Sequence, residues 1–236
     1  MHIPPFRFFD RLKTKTLIKG IRYFSLIGLN MIFKNSSTKK QEPNNISDKF
    51  VLMYEQNEKQ TFENTYWLGH KALKIPLDLW IYQEIIFETK PDFIIETGTN
   101  EGGSTLFLAS ICDLLNKGEI ISIDIASSKN LPKHPRIKYL QGDATSNKII
   151  SQIQNIVSNK KTMIILDDDH SKKHVLNELN LYSKIVSKGC YLIVEDTCMA
   201  GHPTVPELNE GPMEAVHEFL EKNDNLLIDK DKEKFF

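Results

Sequence analysis

A chain of 236 residues, 40% hydrophobic and 26% charged, has the composition of a folded globular protein, with room for one domain of about 150–200 residues and an appendage. A core of that size needs no disulfides, and Cys112, Cys190 and Cys198 show no CxxC spacing, which argues against a zinc cage or an oxidising compartment. The net charge of −1 hides an asymmetry: residues 1–49 carry ten Lys and Arg against three Asp and Glu, about +7, and the remainder is about −8.

The basic segment comes first. Its apolar stretch, Tyr23 to Phe33, holds Ser25 and Asn30 and is too short to span a membrane. The basic-then-apolar order is that of a secretory signal, but Lys34-Asn35-Ser36-Ser37 follows in place of a small-residue cleavage site. Two readings stay open: a basic amphipathic segment resting on an anionic membrane or a partner, and a plain extension. Residues 35–49 are polar and read as a linker. The expected organisation is therefore an extension and linker over 1–49 and one domain over 50–236. The expected location is cytoplasmic, peripheral to the inner face of the membrane under the first reading.

Beyond the linker, short apolar runs alternate with helical ones. Leu77 to Glu88 places Leu77, Trp80, Ile81 and Ile85 at helical spacing. Phe93-Ile94-Ile95 reads as a first buried strand, Ser104 to Leu115 as a helix, and Ile120 to Ile123 as a second strand. Ile137 to Leu140 is a third strand, Lys148 to Val157 a helix, and Met163 to Leu166 a fourth strand. Ser171 to Val186 reads as a helix with Ser171 as its cap, and Tyr191 to Val194 as a fifth strand. Pro212 to Lys222 is a helix with Pro in its first turn, and Leu226-Leu227-Ile228 is a candidate sixth strand. Cys112 and Cys190 fall in apolar runs and read as core residues. Alternating elements with continuously apolar strands predict an α/β fold: a Rossmann-like, doubly wound, mostly parallel sheet with helices on both faces. Such sheets bind ligands outside the carboxyl ends of their strands.

After the first strand comes Glu96-Thr97-Gly98-Thr99-Asn100-Glu101-Gly102-Gly103-Ser104. This is neither GxGxxG nor a GK[ST] loop, and a leading acid repels a pyrophosphate. Acid-x-Gly-x-x-x-Gly suits a zwitterionic, sulfonium-bearing ligand, with backbone for the amino-acid end and a carboxylate for positive charge. The second strand ends in Asp124, 28 positions after Glu96, where an acid accepts ribose hydroxyls. Gly142-Asp143 follows the third strand in a turn placed to touch an adenine ring. The fourth strand ends in Asp167-Asp168-Asp169-His170 and the fifth in Glu195-Asp196. Five carboxylates at adjacent strand ends repel unless a cation joins them, and oxygen ligands select Mg²⁺, Ca²⁺ or Mn²⁺. His170 beside that cluster is a candidate general base.

Tyr66-Trp67-Leu68-Gly69, Pro76-Leu77-Asp78, Tyr82-Gln83-Glu84, Glu96-Thr97-Gly98-Thr99, Gly102-Gly103-Ser104, Asp167-x-x-His170-Ser171, Val194-Glu195-Asp196-Thr197 and Gly211-Pro212-Met213-Glu214-Ala215-Val216 together resemble the cephalosporin hydroxylase / rhamnosyl O-methyltransferase family over roughly residues 64–236. The resemblance implies a class I S-adenosylmethionine-dependent O-methyltransferase that uses Mg²⁺ and acts on a sugar, glycolipid-like or secondary-metabolite hydroxyl. It implies that Glu96, Gly98 and Asp124 hold the cofactor, with Thr97, Thr99, Gly102, Ser104, Gly142 and Asp143 around it. Asp167, Glu195 and Asp196 would ligate the metal, Asp169 being the alternative first ligand, and His170 would be the base. Two departures stand out: the chain stops at Lys234-Phe235-Phe236, so the last strand is expected to be missing or cut short, and residues 1–49 have no counterpart.

The implied partners are a small-molecule or glycan acceptor and no nucleic acid; a homo-oligomer stays open. The loop from Thr197 to Gly211 is expected to shape the acceptor pocket, with His202 either touching substrate or packing the loop. The rivals are a non-catalytic binding protein on this fold, a nicotinamide oxidoreductase, which the loop spacing disfavours, and a 2-His-1-carboxylate iron oxygenase, which lacks its HxD pair here.

Overall fold

The computed structural model describes residues 21–23, 46–57, 60–126, 128 and 130–232. Their elements run β1 (Ile21–Tyr23), α1 (Ile46–Gln56), β2 (Tyr66–Trp67), β3 (His70–Lys71), α2 (Pro76–Thr89), β4 (Phe93–Thr97) and α3 (Gly103–Leu114). They continue with β5 (Glu119–Asp124), β6 (Ile137–Gln141), α4 (Asn147–Val157), β7 (Thr162–Leu166), α5 (Lys172–Tyr182), β8 (Leu192–Val194) and α6 (Pro212–Glu221). Two short 3₁₀ turns lie at Phe62–Asn64 and Lys230–Lys232.

The main sheet has the order β1-β8-β7-β4-β5-β6, and every pairing is parallel. From β4 the chain steps outward through β5 to β6, then returns to the other side of β4 for β7 and β8. The direction reverses between β4 and β7, where an α/β sheet opens a crevice at its carboxyl edge. The strands are apolar throughout because helices cover both faces: every residue of β7 and of β8 is buried. The core joins Ile94, Ile95, Ile120, Ile121 and Met163 to Ile165 with helix residues such as Ile85, Leu108, Ile153, Leu179 and Val216.

The predicted helices and the first five predicted strands all form, with small shifts at their ends. The helix predicted from Ser171 to Val186 is shorter and has a different cap. Asp169 Oδ1 accepts the Ser171 amide at 2.8 Å, while the Ser171 hydroxyl makes no capping bond. Leu226-Leu227-Ile228 forms no strand: the free edge of β8 is paired with β1, and Leu226 instead buries its side chain in the core. Among the described residues no strand follows β8 in the chain.

Four elements escaped prediction: α1, β2, β3 and β1, which pairs with β8. Residues 46–49, read as linker, are the first turn of α1, so the boundary drawn at residue 49 falls inside a helix. Val51 anchors α1 through a small separate core with Ile75 and Cys198. β2 and β3 form a hairpin through Leu68-Gly69, both at positive φ. It is held by Trp67, whose indole donates to Ser110 Oγ at 3.1 Å and meets Phe107 edge-on. Apart from Ile21–Tyr23 and the start of α1, residues 1–49 lie outside the described residues, and so does the choice between membrane-resting segment and plain extension. No helix among the described residues is long and apolar enough to cross a membrane.

Candidate active site at the carboxyl edge of the sheet

The loop after β4 is built on close backbone approach. Gly98 lies at φ +82°, and a Cβ there would fall 1.9 Å from the Asp167 carbonyl oxygen. At Gly103, which opens α3, a Cβ would meet the Lys71 carbonyl oxygen at 2.2 Å. Neither position admits a side chain without moving backbone. The loop thus packs down between the end of β7 and the hairpin and leaves an open cleft of about 900 Å³ along the strand ends.

Glu96 does not line that cleft. Its carboxylate is buried beneath the loop and accepts hydroxyls from Ser104 at 2.6 Å, from Thr105, and from Ser122 at 2.8 Å. Burial pushes its carboxyl above the ordinary range, and the three hydroxyls oppose that shift. The expected direct role in cofactor binding therefore becomes one of pinning the loop. Thr97 is also enclosed: its Oγ1 accepts the Asp167 amide at 3.1 Å. Gly102, at φ +78°, does not line the cleft, and a Cβ there would meet the Pro132 ring at 2.6 Å. Gly98, Thr99, Ser104, Asp124, Gly142 and Asp143, by contrast, all line it.

Asp124 closes β5 with both oxygens engaged. Oδ2 accepts the Asn100 amide at 2.9 Å and Oδ1 accepts the Ala126 amide at 2.8 Å. The carboxylate is fixed in place, and its remaining lone pairs are available to hydroxyl donors. Across the cleft, Asp143 accepts from the Thr145 amide and hydroxyl, each at 2.7 Å; these bonds hold its carboxyl below the usual range and fix the turn after β6.

The acid-rich ends of β7 and β8 separate into three groups. Asp167, His170 and Asp196 offer one donor atom each, all within 4.8 Å of one another, and all three line the cleft. His170 Nε2 lies 3.1 Å from Asp196 Oδ2. Asp196 has φ 54°, a left-handed conformation that Asp tolerates, at the turn just after β8. Asp168 turns instead to His174, at 3.2 Å, and raises its imidazole above the usual value. Asp169 is spent on the Ser171 amide, which leaves Asp167 as the Asp of the triplet aimed at Asp196. Glu195 sits behind this group, 4% exposed and outside the cleft lining.

The cation that Glu195 faces is Lys74, which the sequence reading missed. Its ammonium contacts Asp167 Oδ2 and lies 3.5 Å from Glu195 Oε2, and the residue is only 4% exposed. Burial and Asp196 push the Asp167 carboxyl up while Lys74 pulls it down; the carboxylates around Lys74 keep its ammonium charged despite burial. The available signal was a lysine inside the otherwise apolar run Ala72 to Ile75. Glu55 and Phe62 were missed as well, and both reach the cleft from the N-terminal side. Glu55 accepts from Cys198 Sγ at 3.5 Å, and burial, then Asp196, raise its carboxyl. His202 is not among the residues that line the cleft. It lies 2.6 Å from Glu214 Oε1, whose other oxygen accepts the Gly211 amide. In the loop after β8 it is Met199 that reaches the cleft.

A doubly wound parallel sheet with an acid at the end of β5 and an Asp/His/Asp cluster at the ends of β7 and β8 is the frame of a class I methyltransferase. The model of the Rhamnosyl O-methyltransferase/CmcI family matches residues 59–236, and the chain belongs to that family. A rhamnosyl O-methyltransferase of Mycobacterium leprae (strain TN) is 36% identical over 165 residues, which is 67% of this chain and 71% of that protein. One from Mycobacterium bovis (strain BCG / Pasteur 1173P2) is 34% identical over 167 residues, 68% of each chain. The fold is shared with an apo structure of CmcI (TM-score 0.54, 19% identity, 79% of each chain) and with CmcI carrying Mg and SAM (TM-score 0.53, 17% identity, 83% of each chain).

Proposed function

We propose that this protein is an S-adenosylmethionine- and divalent-metal-dependent O-methyltransferase acting on a hydroxyl of a sugar, glycolipid-like or secondary-metabolite acceptor. One observation carries the reading: Asp124 and the Asp167/His170/Asp196 cluster line a single cleft at the switch point of the sheet. The family membership and the names of the relatives favour a sugar hydroxyl.

The residues present fit both groups. The tight glycine loop and the anchored Asp124 suit a nucleoside with an amino-acid tail. Clustered carboxylates beside an imidazole suit a hard divalent ion such as Mg²⁺. When bound, S-adenosylmethionine supplies the methyl group and the ion supplies positive charge that lowers the pKa of the acceptor hydroxyl. Asp124 would hold the ribose hydroxyls, with Gly98, Thr99 and Ser104 along the cofactor and Gly142 and Asp143 against its base. Asp167 and Asp196 would ligate from the cleft side, and Glu195 would complete the acidic set from behind. His170 would take the proton of the acceptor hydroxyl at Nδ1, while Asp196, which faces Nε2, would orient its ring. The catalytic domain would span residues 50–236, with α1 entering it from residue 46.

Asp124→Ala is expected to weaken S-adenosylmethionine binding at least tenfold, because charge-assisted hydrogen bonds contribute about 1.5–3 kcal/mol each. Asp124→Asn, which keeps a carbonyl for one loop amide, separates ribose binding from loop anchoring. Calorimetry showing wild-type affinity in both variants would remove Asp124 from the site.

The basic residues 1–49 are proposed to give peripheral contact with an anionic membrane face. The full chain should then sediment with phosphatidylserine vesicles at low salt and be released at high salt, since screening acts on exposed charge. Absence of sedimentation at low salt would leave these residues as a plain extension.

A further inference from the structure

We propose that Lys74 is the internal counter-ion of the metal-binding carboxylates: it neutralises Asp167 and Glu195 in the metal-free protein and so weakens the site's hold on a divalent ion. The inference rests on the metal reading above and goes beyond it, since it gives the protein a built-in competitor for the same charge.

Lys74 lies between β3 and α2, and its side chain is almost wholly buried. The residue is 4% exposed. Its carbonyl accepts from the Tyr54 hydroxyl at 3.4 Å, and α2 begins two residues later with Pro76, so the backbone is held on both sides. A buried ammonium is costly unless it is paired, and the partners are Asp167 Oδ2, in direct contact, and Glu195 Oε2 at 3.5 Å. Those side chains are two of the five acids that stand at the ends of β7 and β8.

The arrangement has two sides. Lys74 approaches Asp167 and Glu195 from inside the protein and does not line the cleft, whereas Asp167 and Asp196 face the cleft. A divalent ion entering from the cleft would meet Asp167 already paired with an ammonium and would be repelled by that positive charge behind it. Without Lys74, the acids would repel one another when metal is absent and bind a cation more tightly when it is present. The lysine thus keeps the metal-free protein folded with its acids in place, at the expense of metal affinity.

The test is Lys74→Met, which keeps the aliphatic length and removes the charge, with Lys74→Gln as a second variant. Mn²⁺ binding is measured by calorimetry or by electron paramagnetic resonance, and melting is followed with and without Mg²⁺. The expected result is Mn²⁺ affinity at least tenfold tighter than wild type, a lower melting temperature without metal, and a larger rise on adding Mg²⁺. Should Lys74→Met abolish folding without metal, refolding in Mn²⁺ supports the inference, and failure of both variants to fold in Mn²⁺ overturns it. Equal or weaker Mn²⁺ binding by the folded variants overturns it while leaving the metal reading intact. No Mn²⁺ binding by wild type or variants, with S-adenosylmethionine binding retained, removes the metal reading and this inference with it.

Discussion

Asp196→Ala should abolish metal-dependent methyl transfer while S-adenosylmethionine affinity stays largely unchanged. A divalent ion at a developing alkoxide contributes several kcal/mol, so its loss should lower kcat by about 10³-fold or more. Asp196 is the cleanest position for this test. Its carboxylate lines the cleft, and it is separate from the Lys74 ion pair that Asp167 and Glu195 share. EDTA should reproduce the loss in wild type, and Mg²⁺ should restore wild type but not the variant. Turnover that survives EDTA unchanged would reduce these acids to a solvated rim. Glu195→Ala should also lose metal-dependent turnover, and it removes one of the two carboxylates that pair with the buried Lys74 ammonium, so it should lower thermal stability as well.

His170→Ala should lower kcat by about 10²–10⁴-fold, the usual contribution of a general base, with little change in cofactor affinity. The motive is position. His170 lies on the turn between β7 and α5, its ring is in the cleft, and Nε2 is 3.1 Å from Asp196 Oδ2. A carboxylate at that distance orients the imidazole much as the acid of a catalytic triad does. Added imidazole should recover part of the rate in His170→Ala and none in His170→Gln, whose side chain fills the space. The competing role is structural, a histidine that ties the β7–α5 turn to the end of β8. In that case the variant would melt several degrees early yet turn over normally at low temperature, with no response to imidazole.

Much of the fold was legible because its signals are local. Largely apolar runs of three or four residues separated by helical periodicity define β4 to β8 and α2 to α6, and the acids closing β5, β7 and β8 stand at the carboxyl edge by the geometry of a parallel sheet. α1 was hidden because its anchor, Val51, packs against Ile75 and Cys198, and nothing in the polar stretch before it announces a helix. Leu226 to Ile228 was misread because a short apolar run fits a strand as well as a buried loop, and only the pairing of β1 with β8 decides between them.

The chain order alone therefore determined the α/β architecture, the strand ends and the group of carboxylates that meet there. Tertiary structure decided what each of those side chains does with its charge. Glu96 was drawn as a cofactor contact and turned inward because Ser104, Thr105 and Ser122 offer it hydroxyls. Asp168 and Asp169 left the cluster for His174 and the Ser171 amide. Lys74 entered it across 93 positions, and Glu55 reached Cys198 across 143. A carboxylate's partner depends on distances of about 3 Å, which periodicity does not encode, because the strength of a charge contact is set by separation and burial rather than by position along the chain.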